Sequence, residues 1–254
     1  MSLSNCVALI ASLVLGAAAT ASASAGVDLS VETTILQWEC LKNKHAVNYA
    51  IIRNYRSNGE VDVNGANSLK LAAEVGVSDL SGYIFPCIQT SANNVENNVT
   101  CASAEQQVKD TINFLRDNGV GIARSVSSTG PIEAPHSADA VYINRLWLDI
   151  EDENPSKYFD ADPAVNQAFM AAMVAELERQ FVPVGIYTTL TYWEQIMDNA
   201  EGYSQYPLWY PRYDDTDSMD FFSPFAGWEA ALIKQTGGDV GYCDISQVDS
   251  DYQL

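Results

Sequence analysis

Two acidic residues, Asp149 and Glu151, end an apolar segment that is predicted as a strand over Arg145–Glu151. Side chains alternate between the two faces of a strand, so these carboxyl groups share one face and Ile150 lies on the other. Two carboxyl groups in one site can act as a proton donor and an ionised partner. Barrel enzymes keep such groups at the C-terminal ends of their strands. The alternative is an acidic strand end that is only solvated.

Two further acidic residues are expected beside this pair. Asp28 ends the first predicted strand, and Asp244 lies in the last one, directly after Cys243. The first and last strands of a closed barrel are neighbours, and we expect the C-terminal ends of all strands to share one rim. All four carboxyl groups should therefore meet at one cleft. Carboxylates that converge repel each other, which raises the pKa of one and suits it to be a general acid.

Aromatic residues on these strands could line the same cleft, because flat rings with polar edges suit sugar rings. Core packing is the alternative role for each ring. The candidates for substrate binding are Tyr83, Tyr187, Trp209 and Tyr213.

The elements that must position these residues alternate along the chain. Five predicted helices cover about 32–44, 66–75 and 191–199 and begin near Ser103 and Asp162. Alternation followed by closely spaced strands predicts an α/β fold, a modified TIM-like barrel of eight strands with about five helices. An open doubly wound sheet is the alternative, but no Gly-x-Gly-x-x-Gly motif follows the first strand. The eight predicted strands are Gly26–Ser30, Tyr49–Tyr55, Gly82–Cys87, Arg145–Glu151, Pro183–Thr189, Leu208–Tyr213, Ala231–Gln235 and Cys243–Val248.

The first 25 residues contain no Asp, Glu, Lys or Arg and end in an Ala-Ser-Ala repeat before Gly26. This pattern predicts a secretory signal peptide, and its apolar core is short for a membrane span of about 20 residues. Residues 26–254 then form a single catalytic domain. We expect the mature protein to be secreted or to reside in the lumen of an acidic digestive compartment.

The composition excludes several function classes. The chain has 33 Asp and Glu against 13 Lys and Arg, a net charge of −20, so nucleic-acid binding is not expected. His45 and His136 stand alone and no Cys-x-x-Cys motif occurs, so neither a metal site nor a Ser-His-Asp triad is supported. We expect no cofactor, no membrane association after signal removal, and a monomer.

Four cysteines remain after signal removal, and an even number in an exported chain predicts two disulfides with three possible connectivities. We favour Cys87–Cys101, which closes a short polar loop, and Cys40–Cys243, which joins segments near the two ends. Asn98 begins an Asn-Val-Thr glycosylation sequon inside the short loop, although so short a pattern also occurs by chance.

Seven segments, in order over residues 26–254, resemble the secreted lysozymes of glycoside hydrolase family 25, most closely the branch of nematodes and amoebae. The resemblance implies a barrel of eight strands with about five helices. It also implies hydrolysis of the β-1,4 bond between N-acetylmuramic acid and N-acetylglucosamine in bacterial peptidoglycan, in digestion or in defence. The segments are Gly26-Val-Asp-Leu-Ser30, Ala50-Ile-Ile-Arg-Asn-Tyr55, Gly82-Tyr-Ile-Phe-Pro-Cys87, Trp147-Leu-Asp-Ile-Glu151, Gly185-Ile-Tyr-Thr188, Leu208-Trp209 and Cys243-Asp-Ile-Ser246.

The resemblance also implies roles for the acidic residues. Glu151 resembles the family's general acid, and Asp149 the partner that orients or stabilises the substrate acetamido group. Asp28 and Asp244 resemble the other carboxylates of the cleft. A retaining, an inverting and a substrate-assisted mechanism stay open, with a mild preference for the last. The segment 120–144 is longer than expected for this branch, which leaves one side of the cleft undefined.

Two other readings compete with this one. Family 18 chitinases, which also act on N-acetylhexosamine polymers, carry the pattern D-x-x-D-x-D-x-E. Counting back from Glu151 gives Asp149 but then Trp147 and Asn144, where acids should stand. A glycan-binding relative without catalysis is expected to lose one of the two acids, and both are present.

Overall fold

The computed structural model describes residues 24–123, 140–154 and 156–253. In these ranges eight strands close into a barrel, in the order β1-β10-β9-β8-β7-β6-β3-β2. The predicted α/β barrel is therefore confirmed. The strands of the barrel are β1 Ser24–Leu29, β2 Val47–Tyr55, β3 Asp79–Ile84, β6 Leu146–Asp149, β7 Val184–Tyr187, β8 Leu208–Pro211, β9 Ile233–Gly237 and β10 Val248–Gln253.

Six helices accompany the barrel in the part of the chain that the structure describes, one more than predicted. Ser103 caps α4 and Asp162 caps α5, each with its side chain, as the sequence indicates. The additional helix, α3, lies inside the loop that one disulfide closes. The helices are α1 Ile35–Lys44, α2 Gly65–Glu74, α3 Ala92–Glu96, α4 Ala104–Asp117, α5 Pro163–Arg179 and α6 Leu190–Met197.

Strand direction decides which strand ends meet at the cleft. Neighbouring barrel strands are parallel except for β10, which is antiparallel to both β1 and β9. The rim that holds the C-terminal ends of seven strands therefore holds the N-terminal end of β10. The expectation that every strand presents its C-terminal end at this rim is wrong for the last strand.

The last strand also begins later than predicted. Cys243 and Asp244 lie in a 3-10 turn, Tyr242–Asp244, and both have positive φ angles, of 56° and 61°. Left-handed backbone cannot continue a strand, so the predicted strand Cys243–Val248 is wrong and the pairing starts at Val248. The other seven predicted strands overlap the observed ones.

Side chains alternate across the barrel wall. On β6, Leu146 and Leu148 pack outwards against the helices, whereas Trp147 belongs to a separate cluster inside the barrel. Gly185 on β7 leaves room for the Trp147 indole, because a β-carbon at this position would overlap the ring. The interior cluster comprises Tyr49, Ile51, Tyr83, Trp147, Tyr187, Trp209 and Ile233.

Both predicted disulfides are present. Cys40–Cys243 joins α1 to the 3-10 turn before β10, and Cys87–Cys101 closes the loop that contains α3. Disulfides form in oxidising compartments, so the pairing suggests an extracellular or lumenal protein. No described helix is both long and apolar enough to cross a membrane.

Two predictions concern residues outside the described ranges. Of the predicted signal peptide, residues 1–25, the structure describes only Ser24 and Ala25. Ser24 belongs to β1 and pairs with Gln253 of β10. Cleavage of the signal peptide stays a prediction. The insertion over 120–144 is described at its two ends, where β4 Val120–Ile122 pairs in parallel with β5 Val141–Ile143. His136 lies outside the described residues.

Candidate active site

Asp149 ends β6, Glu151 follows two residues later, and both side chains face the barrel mouth. Ile150 is buried in the outer core, and its N–H donates to the carbonyl of Tyr187 at 2.9 Å, so chain pairing continues one residue past β6. Alternation then directs Asp149 and Glu151 to the cleft side. Asp149 is only 5 % exposed, and its Oδ1 has no hydrogen-bond partner among the described residues. A buried carboxyl oxygen without a donor disfavours the charged form.

The electrostatic environment separates the two acids. Burial raises the pKa of Glu151 to about 7, and the charges of Glu153 and Asp249 add to the effect. Burial also raises the pKa of Asp149, as does the charge of Glu151, but the nearby guanidinium of Arg53 opposes the shift. Arg53 therefore acts against protonation of Asp149, whereas burial and the charge of Glu151 act in favour of it.

A second group of carboxyls lies across the cleft on β1 and β10. Asp28 pairs in register with Asp249, and Gly26 with Asp251. Burial raises the pKa of Asp28, and the charges of Asp251 and then Asp249 raise it further. Asp251 is deeper in the barrel, where the indole N–H of Trp209 donates to its Oδ1 at 2.9 Å.

Asp244 is not part of this group. Its side chain is exposed in the 3-10 turn, and its backbone carbonyl accepts a bond from Gln37 Nε2 of α1 at 3.5 Å. The structure thus corrects the placement of Asp244, and Asp249 occupies the position at the rim that Asp244 was expected to fill. The sequence carries a signal for this, because Asp249 and Asp251 repeat the spacing of Asp149 and Glu151.

Gln235 of β9 connects two acidic residues of β1 and β10 to two tyrosines. Its Nε2 donates to Asp28 at 2.7 Å and to Asp249 at 3.0 Å. Its Oε1 accepts from the hydroxyls of Tyr187 at 2.9 Å and Tyr213 at 2.8 Å. Sequence reasoning missed Gln235, since nothing local distinguishes one glutamine on a strand from another.

The four aromatic candidates divide into two kinds. Tyr83, Tyr187 and Trp209 are buried inside the barrel, and the rings of Tyr187 and Trp209 lie 4.4 Å apart between centroids. They form the floor beneath the carboxyl groups. Tyr213 instead is 61 % exposed while its hydroxyl reaches Gln235, so its ring is free to contact a ligand beside the cleft.

Arg53, at the C-terminal end of β2, is a site residue without an assigned role in the sequence analysis. Its Nε donates to Asp62 Oδ2 at 2.8 Å, and its second guanidinium nitrogen donates to the carbonyl of Ser30 at 3.0 Å. These bonds hold the cation near Asp149. Arg53 is the only charged residue of β2, and this was the available signal.

No group of three or more His, Cys, Asp or Glu side chains in residues 24–123, 140–154 and 156–253 is arranged to hold a metal ion. The absence of a cofactor stays a prediction.

Comparison with known proteins identifies the family. A family model described as lysozyme-like protein 1 matches residues 19–127 and 133–236. A probable GH family 25 lysozyme 2 of Dictyostelium discoideum is 33 % identical over 87 % of this chain and 88 % of its own length. This chain belongs to the GH family 25 lysozymes. The resemblance inferred from seven short segments is thereby confirmed.

Other members of the GH family 25 lysozymes and their structures agree. Lysozyme-like protein 5 of Caenorhabditis elegans is 32 % identical over 94 % of this chain and 96 % of its own length. The structure of a family GH25 lysozyme from Aspergillus fumigatus superposes with a TM-score of 0.62 at 19 % identity, covering 92 % of this chain and 94 % of that one. The barrel of this GH family 25 lysozyme therefore has the same fold as that structure.

Proposed function

We propose that this family 25 lysozyme hydrolyses the β-1,4 bond between N-acetylmuramic acid and N-acetylglucosamine in bacterial peptidoglycan, with Glu151 as general acid. The observation that carries the proposal is the half-buried Glu151, whose pKa is raised to about 7, two residues from Asp149 in one cleft. A carboxyl group with this pKa holds its proton in mildly acidic solution and can release it to a leaving oxygen.

The proposed chemistry divides the reaction between the two acids. Glu151 protonates the glycosidic oxygen as the bond to the anomeric carbon breaks. The acetamido oxygen of the muramic acid unit forms a bond to that carbon, and the Asp149 carboxylate orients the acetamido N–H and stabilises the positive charge. Water then attacks the anomeric carbon, opens the ring formed by the acetamido group, and gives a proton to Glu151.

The remaining residues support this arrangement. Asp28 and Asp249 face the pair from across the cleft, and the negative charge that this group retains stabilises the positive charge of an oxocarbenium-like transition state. The exposed ring of Tyr213 supplies a face on which a sugar can stack. Tyr83, Tyr187 and Trp209 act from beneath as the floor of the substrate site.

We also propose that the protein is exported by the segment 1–25 and acts outside the cytosol, consistent with two disulfides. Asn98 is exposed, in the loop closed by Cys87–Cys101, which suits a glycosylation site.

The test is digestion of purified bacterial peptidoglycan followed by identification of the new reducing ends. A muramidase leaves N-acetylmuramic acid at the reducing end, and the Glu151→Gln variant should leave none above background. New N-acetylglucosamine ends would overturn the assigned bond. Cleavage of chitin oligomers without cleavage of peptidoglycan would favour the chitinase-like alternative, and glycan binding without cleavage the catalytically silent one.

A further inference from the structure

Two arginines share one buried carboxylate beside the C-terminal end of β2. Arg53 Nε donates to Asp62 Oδ2 at 2.8 Å, and Arg56 donates to Asp62 Oδ1 at 2.9 Å. Burial acts to raise the pKa of Asp62, but the hydrogen bonds from Arg56 and Arg53 lower it overall, so the carboxyl group is ionised. Two cations against one anion leave a local excess of positive charge in a chain whose net charge is −20.

Arg53 lies on the face of β2 that lines the barrel interior. Ile51 of the same strand belongs to the interior cluster, and side chains two residues apart share a face. Arg53 pairs in register with Tyr83 of β3, which pairs in turn with Trp147 of β6. Asp149 follows Trp147 by two residues on the same face. Arg53 and Asp149 therefore border the same cleft, with only β3 between their strands.

The guanidinium of Arg53 is held on two sides and has further donors. A guanidinium group has five N–H donors, and the bonds to Asp62 and to the carbonyl of Ser30 use two of them, on Nε and Nη2. Neither bond involves the other terminal nitrogen, Nη1. The side chain is 24 % exposed, so a ligand can reach it. A planar guanidinium fixed in this way is preorganised to bind a carboxylate.

The proposed substrate brings carboxylates to this part of the cleft. In the muramic acid unit the acetamido group stands on C2 and the lactyl ether on the neighbouring carbon, C3. Asp149 orients the acetamido group in the proposed chemistry, so the C3 substituent lies beside that residue. The acidic cluster of β1 and β10 repels an anion through the charge that it retains, whereas the Arg53 guanidinium attracts one.

We propose that Arg53 binds a carboxylate on the C3 substituent of the muramic acid unit, and that this contact favours muramic acid over N-acetylglucosamine, whose C3 carries only a hydroxyl. The inference rests on the proposed function. Arg56 contributes by sharing Asp62, so that Asp62 does not neutralise Arg53. The charge of Glu60 also acts on Arg56, but Glu60 is exposed to solvent, which screens it.

The carboxylate has two possible sources. In glycan chains without peptide it is the lactyl group itself. In chains with peptide the lactyl carboxyl group forms an amide, and the carboxylates belong to the peptide. Both sources present the same chemistry to Arg53, and the two kinds of chain distinguish them.

The experiment measures kcat/KM on both kinds of glycan chain, each in its native form and with its carboxyl groups converted to methylamides. The native protein should prefer the carboxylate form by about tenfold or more, the scale of a charge-assisted hydrogen bond. Arg53→Met should lose this preference, and Arg53→Lys, which keeps the charge without the planar fork, should keep part of it. Arg116→Met, at a 41 % exposed position of α4, is the matched control and should behave as the native protein.

The ratio between the two forms separates recognition from catalysis. Arg53 also favours the anion of Asp149, so kcat of Arg53→Met can fall on both forms, but the ratio changes only if Arg53 meets the carboxylate. Loss of the preference on peptide-free chains identifies the lactyl carboxylate, and loss only on peptide-bearing chains identifies the peptide. Arg56→Met should reduce the preference about threefold, and it keeps the test decisive if circular dichroism shows that Arg53→Met does not fold.

Binding gives a readout that does not need activity. Dissociation constants for the same chains are measured by isothermal titration calorimetry in Glu151→Gln, with and without Arg53→Met. The added substitution should weaken binding of the carboxylate form about tenfold and leave binding of the methylamide form nearly unchanged.

Two results would overturn the inference. These are a native protein with no preference for the carboxylate form of either chain, and a folded Arg53→Met variant with an unchanged ratio. If the native protein cleaves no peptidoglycan but binding of the carboxylate form still depends on Arg53, the proposed function fails and the carboxylate site stands.

Discussion

The two clusters of acidic residues in the cleft differ in the hydrogen bonds that their side chains accept. On β1 and β10, Asp28 and Asp249 accept hydrogen bonds from Gln235, and Asp251 accepts one from Trp209. At the end of β6, Asp149 has a buried oxygen without a donor among the described residues. Each acidic residue on the β1/β10 side thus accepts at least one side-chain hydrogen bond, although Asp251 Oδ2 is buried without a donor as well. The difference suggests that the β6 side carries the reaction and the β1/β10 side supports it.

The largest expected effect is that of Glu151→Gln. The amide keeps the shape of the side chain but cannot donate a proton to the leaving oxygen, so kcat should fall by about 10²–10⁴. Turnover on purified peptidoglycan is the measurement, with Glu201→Gln at an exposed position as control. Near-native turnover would remove Glu151 from the role of general acid.

Asp149→Asn should come next, with a loss approaching that of Glu151→Gln. The substitution removes the charge that stabilises the transition state, and we expect about 10² in kcat. Asp117→Asn, whose native side chain is 68 % exposed, is the matched control. If Asp149→Asn causes a small loss of kcat and Asp249→Asn a large one, the reaction depends more on the β1/β10 side than on the β6 side.

Activity should depend on pH in a bell shape centred roughly between pH 4 and 6, in keeping with carboxyl pKa values. Glu151 must be protonated, so activity falls as pH rises through about 7. The acid limb follows protonation of Asp149 and lies above the ordinary carboxyl range, because burial raises the pKa of that group. The net charge of −20 also repels an anionic cell wall, and salt screens this. Rates measured over this pH range at two ionic strengths separate the two effects. An optimum above pH 7 would contradict the requirement for a protonated Glu151. A loss of activity near neutral pH that does not change with salt would contradict the repulsion between the protein and the cell wall.

Asp251→Asn tests how the acidic residues of β1 and β10 affect the pH dependence of the stability of the folded protein. Burial raises the pKa of Asp251, so between its ordinary value and the raised one the folded state binds a proton that the unfolded state releases. Native stability should therefore fall as pH rises through this range, and the fall should be smaller in Asp251→Asn. Thermal unfolding at pH 5 and 7 measures it, since about 1 kcal/mol corresponds to roughly 2–4 °C in Tm. An equal or steeper fall in the variant would contradict the prediction.

The smallest effect is expected for Asp244→Asn. Its side chain is exposed in the turn beside α1 and belongs to neither cluster of acidic residues, so kcat should change by less than about twofold. Comparison with Asp249→Asn under the same conditions is the check. A severe loss at Asp244 alone would restore the role that the sequence analysis gave it.

Much of this protein follows from the sequence by itself. The pairing of Asp149 with Glu151 on one face needs only the two-residue period of a strand. The alternation of strands and helices predicts the barrel, and the cysteine spacing favoured the two disulfides that the structure contains. Each of these signals is local or depends on the order of elements along the chain.

Only the tertiary structure decided which residues complete the site. The direction of β10 depends on its pairing with β1 and β9, and this places Asp249 at the rim instead of Asp244. The Gln235–Asp28 bond joins residues 207 positions apart. Local preferences do not encode such long-range contacts, which arise when the closed barrel brings distant strands within hydrogen-bonding distance.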